Sequence, residues 1–313
     1  MKPFRFLAAV QGVMNGRDLA ELARKAESIG YHALVVPDHL IEQLSPVPVM
    51  ATIAAATDRL RVSAFVLNND LRHPAVLGQD LASLDVLSDG RLDVAIGAGW
   101  NRPEYEATGL TFDAVATRVS RLAEAVTVLK GCFADGPFSF EGEHYTIRDY
   151  DGQPKPVQRP HPPFLIGGGG RRTLELAGRE ANIVGLAPRI LGGQRGDPRS
   201  ITLAATEEKI GWVRAAAGDR FETLDFNVYP SMAAVTVTND VRAEIRTVIE
   251  QARERTGIEL SEDEAIESPH LFINSIDGFV DKFRMLRDRL GITSFMTGEV
   301  DELAPVVERL AGT

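Results

Sequence analysis

Three places in this chain combine residue types and spacing that could do chemistry. Asp38 and His39 directly follow the apolar run ALVVP. A histidine titrating near neutrality can donate or accept a proton, or hydrogen-bond a carbonyl; its plainer alternative is a structural loop residue. Gly167 to Gly170 lead from the apolar run PPFLI straight into Arg171-Arg172 and a helical pattern. Backbone donors at a helix N-terminus, with the helix dipole, favour an anionic group, and either arginine could add a bidentate phosphate contact. The alternative there is a flexible turn with solvated arginines. Gly97-Ala98-Gly99 is followed by Trp100 and Tyr105, aromatics able to stack on a planar ligand or to pack beneath a loop.

Other chemistries lack their patterns. Neither glycine cluster is a dinucleotide fingerprint, because the third glycine of G-x-G-x-x-G falls on Arg172 in one and Arg102 in the other. No GK[ST] or G-x-S-x-G occurs. The six histidines form neither H-x-H nor H-E-x-x-H, and only His39, His73 and Asp70 could meet around a metal, so none is expected. The lone Cys132 excludes a disulfide framework. A net charge of −10 argues against nucleic acid, and the arginines are scattered. No apolar run is long enough for a membrane span, and MKPFRFLAAVQG is unlike a secretion signal, so a cytoplasmic location is expected.

The elements that must position these residues alternate. FRFLAAV, ALVVPDH, RVSAFVLNN and RLDVAIGAGW read as four strands within about the first hundred residues. Helical patterns separate them: RDLAELARKAESIGY, a short helix in MATIAAATD, and HPAVLGQDLASLDVLSDG opening near Pro74. Near-continuous apolar strands imply a parallel sheet covered on both faces. VATRVSRLAEAVTVLKGCF is a long amphipathic helix; PPFLIGGGG, NIVGLAP, LDFNVYP and GITSFMTG are strands five to eight. Further helices follow in RRTLELAGRE and at about 240–256, 277–289 and 301–310. Eight such units predict one α/β domain over residues 1–313, a closed (β/α)8 TIM barrel, with insertions at about 138–163 and 189–202 able to cover a site. In that fold ligands sit at the C-terminal strand ends, where all three groups fall.

With these residues in place the chain resembles the luciferase-like monooxygenase superfamily, and within it the coenzyme F420-dependent oxidoreductases. The resemblance runs from PFRFLAAVQG to GITSFMTG. It rests on VVPDHL, on RLRVSAFVLNNDLRHPAVLGQDLASLDVLSDGRLDVAIGAGWNRPEYEATG, on PPFLIGGGGRRTLELAGREANIVGL and on the closing DKFRMLRDRLGITSF. It implies Asp38 and His39 beside a deazaflavin ring, with His39 the catalytic proton partner. Phe65-Val66 falls where related enzymes carry a non-prolyl cis peptide behind the ring. Asn68 would hydrogen-bond the cofactor, Gly99, Trp100, Glu104 and Tyr105 would line its channel, and Gly168, Gly169, Gly170, Arg171 and Arg172 would hold its phosphate. By analogy a homodimer is implied. Trp100 stands where sugar-phosphate members carry an acidic proton acceptor, which removes the warrant for a glucose-6-phosphate reading. Asn274-Ser275 replaces a Gly-Thr common before the last helix of the family.

The expected reaction is hydride transfer between F420 and a small organic substrate. The rival within the fold is a reduced-FMN monooxygenase, and a non-catalytic deazaflavin-binding protein is a further alternative; a metal-dependent barrel hydrolase ranks behind them.

Overall fold

A computed structural model describes residues 2–191 and 195–313. The chain opens with strand β1 (Arg5–Ala9), helix α1 (Gly16–Ile29), β2 (Ala33–Val36) and α2 (Pro46–Ala56). Next come β3 (Arg61–Ala64), β4 (Leu67–Asn68), α3 (Pro74–Leu87), β5 (Val94–Gly97), α4 (Arg102–Thr108) and α5 (Val115–Phe133). The pair β6 (Phe138–Glu141) and β7 (Thr146–Tyr150) precedes β8 (Phe164–Gly168), α6 (Arg171–Glu180) and β9 (Ile183–Leu186). Then follow β10 (Ile190–Leu191), β11 (Arg195–Gly196), α7 (Leu203–Ala217), β12 (Asp225–Val228), β13 (Thr236–Val237) and α8 (Val241–Thr256). The chain closes with α9 (Glu262–Glu267), β14 (Ile273–Asn274), α10 (Ile276–Leu290), β15 (Ile292–Met296) and α11 (Ala304–Leu310). Among the described residues no helix is long and apolar enough to cross a membrane.

The contacts divide the chain into two compact units, one of residues 1–9, 25–33 and 167–313, the other of 10–24 and 34–166. In the first, β1 pairs with β15, β15 with β12 and β12 with β9, all parallel. Its apolar strand residues require cover on both faces. Phe4, Phe6, Phe272, Phe283 and Phe295 supply one layer, with Phe283 and Phe295 stacked at 4.2 Å. A second cluster gathers Ile201, Ile245, Leu260, Leu271 and Ile273 beneath α8 and α9.

In the second unit β4 pairs with β5 and β5 with β8, again parallel, in the register Asn68 opposite Gly97 and Ile96 opposite Ile166. The Val10 N–H donates to Val35 O and the Phe65 N–H to Val36 O, so the ends of the first three strand segments lie side by side. Helix α3 starts as its sequence dictates, with Pro74 at its first turn and His73 Nδ1 accepting the Ala75 N–H. Helix α5 buries Leu122, Ala125, Val126, Leu129 and Phe133 on one stripe.

Two sequence expectations need correction. RVSAFVLNN is not one strand: the pairing breaks at Phe65 and Val66, whose peptide bond is cis, leaving β3 and β4 as separate pieces. The helix placed in MATIAAATD starts earlier, at Pro46, because proline suits a first helical turn. The 138–163 segment contains the antiparallel hairpin β6–β7. Its proline-rich return is fixed where the buried Asp85 carboxylate accepts Gln158 N–H at 2.9 Å and Gln158 Nε2 at 2.7 Å. Of the 189–202 loop, residues 192–194 lie outside the described residues; the remainder forms β10–β11 and a 3-10 turn over Pro198–Ile201. Lys209 Nζ holds that turn by donating to Ser200 O and Ala187 O, both at 2.6 Å.

Candidate active site

The second unit carries a dense polar cluster at the ends of β2, β4 and β5. Asp38, just past β2, is buried, and its carboxylate is fully engaged within the chain. It accepts Arg72 Nη1 at 2.7 Å, Arg72 Nη2 at 3.1 Å and the Asn68 N–H at 2.9 Å. It therefore ties the loop after β2 to the loop after β4.

His39 follows with a side chain that is partly open, its ring 5.5 Å edge-on from Trp100. Its Nδ1 stands 2.8 Å from Glu104 Oε1. Glu104 lies on α4, only 5% exposed, and its Oε1 also receives Asn101 Nδ2. The His39–Glu104 approach is close but misaligned. His39 Nδ1 and Glu104 Oε2 are both buried polar atoms with no hydrogen-bond partner. Such atoms are uncommon in folded proteins, and here two lie together at the strand ends.

Tyr105 anchors the floor. Its hydroxyl, fully buried, lies 3.0 Å from Asn68 Oδ1 and 3.1 Å from Asp70 Oδ2. Burial, and then the Asp70 charge, push its ionisation well above the usual tyrosine value, so it remains a neutral donor. Gly99 makes this possible. Its φ is +73°, and a Cβ there would lie 2.0 Å from the Tyr105 hydroxyl and 2.6 Å from Asn68 Oδ1. Arg118 reaches from α5 to the carbonyl oxygens of Ala98 and Gly99 and, at 3.0 Å, of Asp113. Its guanidinium lies 4.0 Å from the centre of the Phe112 ring. Burial lowers the pKa of Arg118. One turn on, Arg121 pairs with Asp70 at 2.8 Å and with Asp113.

The hairpin joins this framework. Glu124 on α5 accepts the backbone N–H groups of Glu143, His144 and Tyr145 at 2.8, 2.9 and 3.1 Å. These bonds hold its carboxyl below the usual range, against the desolvation that would raise it. Tyr145 is thereby placed with its hydroxyl accepting Asn69 Nδ2 at 3.3 Å and its ring 5.5 Å from that of His73.

Gly167 to Gly170 belong to the first unit, with α6 beginning at Arg171. Gly169 is required by close approach, since a Cβ there would fall 2.1 Å from Pro188 O. Gly170 is the N-cap of α6 and offers no side chain to the first turn, leaving its backbone donors without a side-chain cap. Arg171 is exposed, with Nε 2.7 Å from Glu175 Oε1.

Of the expected residues, Asp38, His39, Asn68, Gly99, Trp100, Glu104 and Tyr105 gather in the second unit, with Phe65 and Val66 at the break between β3 and β4. Sequence reasoning missed Arg72, Arg118, Arg121 and Glu124. For Arg118 a signal existed: it falls on the same helical stripe as Leu122, Ala125 and Leu129, where an arginine must find buried partners.

Comparison with known proteins gives this cluster its context. Residues 3–256 match the family described as luciferase-like monooxygenase. An FMNH2-dependent dimethylsulfone monooxygenase of Pseudomonas putida is 35% identical over 137 residues, 44% of this chain and 38% of that protein. An F420-dependent glucose-6-phosphate dehydrogenase of Kineococcus radiotolerans is 33% identical over 172 residues, 51% of this chain and 49% of that one. The aligned stretches thus span half or less of these curated relatives. Among solved structures, the F420-dependent tetrahydromethanopterin reductase of Methanopyrus kandleri superposes with a TM-score of 0.78 at 19% identity, covering 99% of this chain and 98% of its own. A monooxygenase from Streptomyces bottropensis gives 0.72 at 22%, covering 98% and 97%. The relatives thus include both F420-dependent and flavin-dependent enzymes. This chain, an α/β protein of the TIM-barrel class, belongs to the luciferase-like monooxygenase family.

Proposed function

We propose that the chain is an F420-dependent oxidoreductase that moves a hydride between the deazaflavin and a small organic substrate, with His39 as the proton-handling group. The observation that carries this reading is the pair of unpartnered buried atoms, His39 Nδ1 and Glu104 Oε2, at the strand ends. A bound molecule rich in hydrogen-bonding groups, as a deazaflavin is, would satisfy them. When bound, F420 supplies a carbon at position 5 that accepts or releases hydride.

The residues that would hold it at the ring are His39, Asn68, Trp100, Glu104 and Tyr105, with Phe65 and Val66 behind. Asp38 and Gly99 act by fixing the loops. Gly168, Gly169 and Gly170 with Arg171 and Arg172 would hold the phosphate on the bare N-terminus of α6. In the reaction His39 takes or returns the substrate proton at an imidazole nitrogen, and Glu104, its Oε1 2.8 Å from Nδ1, orients the ring. Tyr105 stays protonated and serves as a donor rather than a base. Arg118 and Arg121 keep the β5 turn and Asp70 in one geometry, which is the protein's share of such chemistry.

A second reading, a reduced-FMN monooxygenase, draws on the 35% identity to the dimethylsulfone enzyme. Anaerobic calorimetry with F420 and with FMNH2 separates the two. Tighter F420 binding supports the first and tighter FMNH2 binding the second; no heat with either sinks both. His39→Ala should keep its fold and cofactor while turnover falls about 10²–10⁴-fold. Unchanged turnover would remove His39 from the mechanism.

A further inference from the structure

We propose that Lys209 is the positioning residue for the phosphate end of the cofactor site: from α7 it fixes the Ala187–Pro188 corner against the tetraglycine Gly167 to Gly170. The inference rests on the oxidoreductase reading and adds to it the residue that sets the anion-binding backbone.

Lys209 is 1% exposed. Its Nζ donates to Ala187 O and to Ser200 O, each at 2.6 Å, so the start and the end of the loop after β9 are tied to one ammonium. Burial lowers its pKa to about 8, which leaves it charged at pH 7. Burying an ammonium against carbonyls rather than a carboxylate is costly. What it gains in return is two carbonyls held in place.

The corner needs such a donor. Pro188 has no N–H, so the strand ladder cannot run on past Ala187. The Ala187 N–H donates to Gly168 O at 3.1 Å, and the Ala187 carbonyl is left for Lys209. Pro188 O then lies directly against Gly169, where a Cβ would come within 2.1 Å of that oxygen and 2.7 Å of Arg189 N. Lys209 therefore reaches the tetraglycine through a single residue, Ala187. Its own helix is seated closely on α6 at Gly178, where a Cβ would lie 2.7 Å from Val213 O. The support and the helix whose N-terminus would carry the phosphate are packed backbone to side chain-free backbone.

Lys282 offers a comparison. It is also buried, and it likewise donates to two carbonyl oxygens, Ile266 O at 3.0 Å and Leu271 O at 2.7 Å, but neither belongs to the tetraglycine corner.

Calorimetric titration of the full chain at pH 7 with F420, and with its phosphate-free ring-and-ribityl fragment, tests the assignment. Lys209→Met should weaken F420 about tenfold and leave the fragment within about twofold, since the alignment of donors to a charged group is what is lost. Lys282→Met removes a buried ammonium of the same kind; it should lower the melting temperature yet keep the ratio of the two affinities. Lys209→Gln retains a donor and should fall between Lys209→Met and wild type, and it carries the test if Lys209→Met does not fold. Equal weakening of both ligands in the Lys209 variants, unchanged F420 affinity, or the same change of ratio in Lys282→Met would overturn the inference. Loss of the fold in both Lys209 variants would make the residue a structural staple and overturn it as well. Wild type that binds neither ligand sinks the functional reading and this inference with it, whereas a fault seen only in how the variants treat the two ligands bears on Lys209 alone.

Discussion

Asp38 and Arg72 meet through two hydrogen bonds, 2.7 and 3.1 Å long, that close the gap between the loops after β2 and β4. Asp38 is 4% exposed, so removing its partner strands a carboxylate away from water. Arg72→Ala should destabilise the chain by about 3 kcal/mol, in the range for breaking a buried pair. Asp38→Asn with Arg72 retained should cost less, because an amide still accepts one guanidinium bond. Urea unfolding of the two variants checks the order; equal stability with wild type would mean the clamp carries no energy.

Gly99 cannot accept a side chain without a shift of its neighbours. Gly99→Ala combines a left-handed backbone with a Cβ placed 2.0 Å from the Tyr105 hydroxyl, so Tyr105 and Asn68 must both move. A loss of more than about 1 kcal/mol is expected, with cofactor affinity falling alongside stability. Tyr105→Phe in the same background relieves part of the clash and should recover part of the stability. Lack of any recovery would locate the strain elsewhere.

Glu104→Gln tests the charge beside His39. The amide keeps the size and a hydrogen-bonding oxygen but removes the charge 2.8 Å from His39 Nδ1. Turnover should fall about tenfold or more while thermal stability changes little. Unchanged turnover would leave Glu104 as packing only.

His270 gives a pH dependence in the first unit. The ring is fully buried, Nδ1 lying 3.1 Å from Ser231 Oγ and 3.2 Å from Tyr229 O. Burial, reinforced by the Lys209 charge, brings its pKa down to about 3 from 6.5. The unfolded chain binds this proton first as pH falls, so the group's contribution to stability is intact above about pH 6.5 and drains away towards about pH 3. The slope approaches about 1.4 kcal/mol per pH unit for one proton. His270→Gln should be less stable at pH 7 yet lose less between pH 6.5 and pH 4. Parallel stability curves for the two proteins would contradict the assignment.

At the phosphate end, Arg172→Ala and Gly170→Glu should both weaken F420. Neither should weaken its phosphate-free ring-and-ribityl fragment, because an anion at the α6 N-terminus is what they remove or repel. Equal losses for both ligands would place the phosphate elsewhere.

Much of this was legible from local pattern. Apolar runs ending in polar or glycine residues marked the strand ends, since a covered parallel strand has no freedom in its body and carries function at its tip. The break at Phe65 and Val66 was invisible to strand propensity, because both residue types favour strands, and it was the family resemblance that marked the non-prolyl cis peptide found there. Helix α7 escaped notice because its buried stripe includes Thr206 and Lys209, which read as solvent-facing until carbonyl partners arrive. The same is true of Arg118 and Arg121: their partners lie 5 to 51 residues away, and nothing in α5 alone names Asp70 or Gly99. The His39–Glu104 approach required α4 to fold back onto the loop after β2, which no residue spacing reveals.

The Glu124 carboxylate gathers three successive amides at the hairpin tip, while Asp85 grips Gln158 on the return. The tip is moored through backbone amides of the hairpin and the return through both the amide and the side chain of Gln158. With Gln158 kept, the tip can therefore be rewritten, or transplanted from a sister enzyme, as a cassette that changes what passes over Asn69 and His73 while the strands beneath stay as they are.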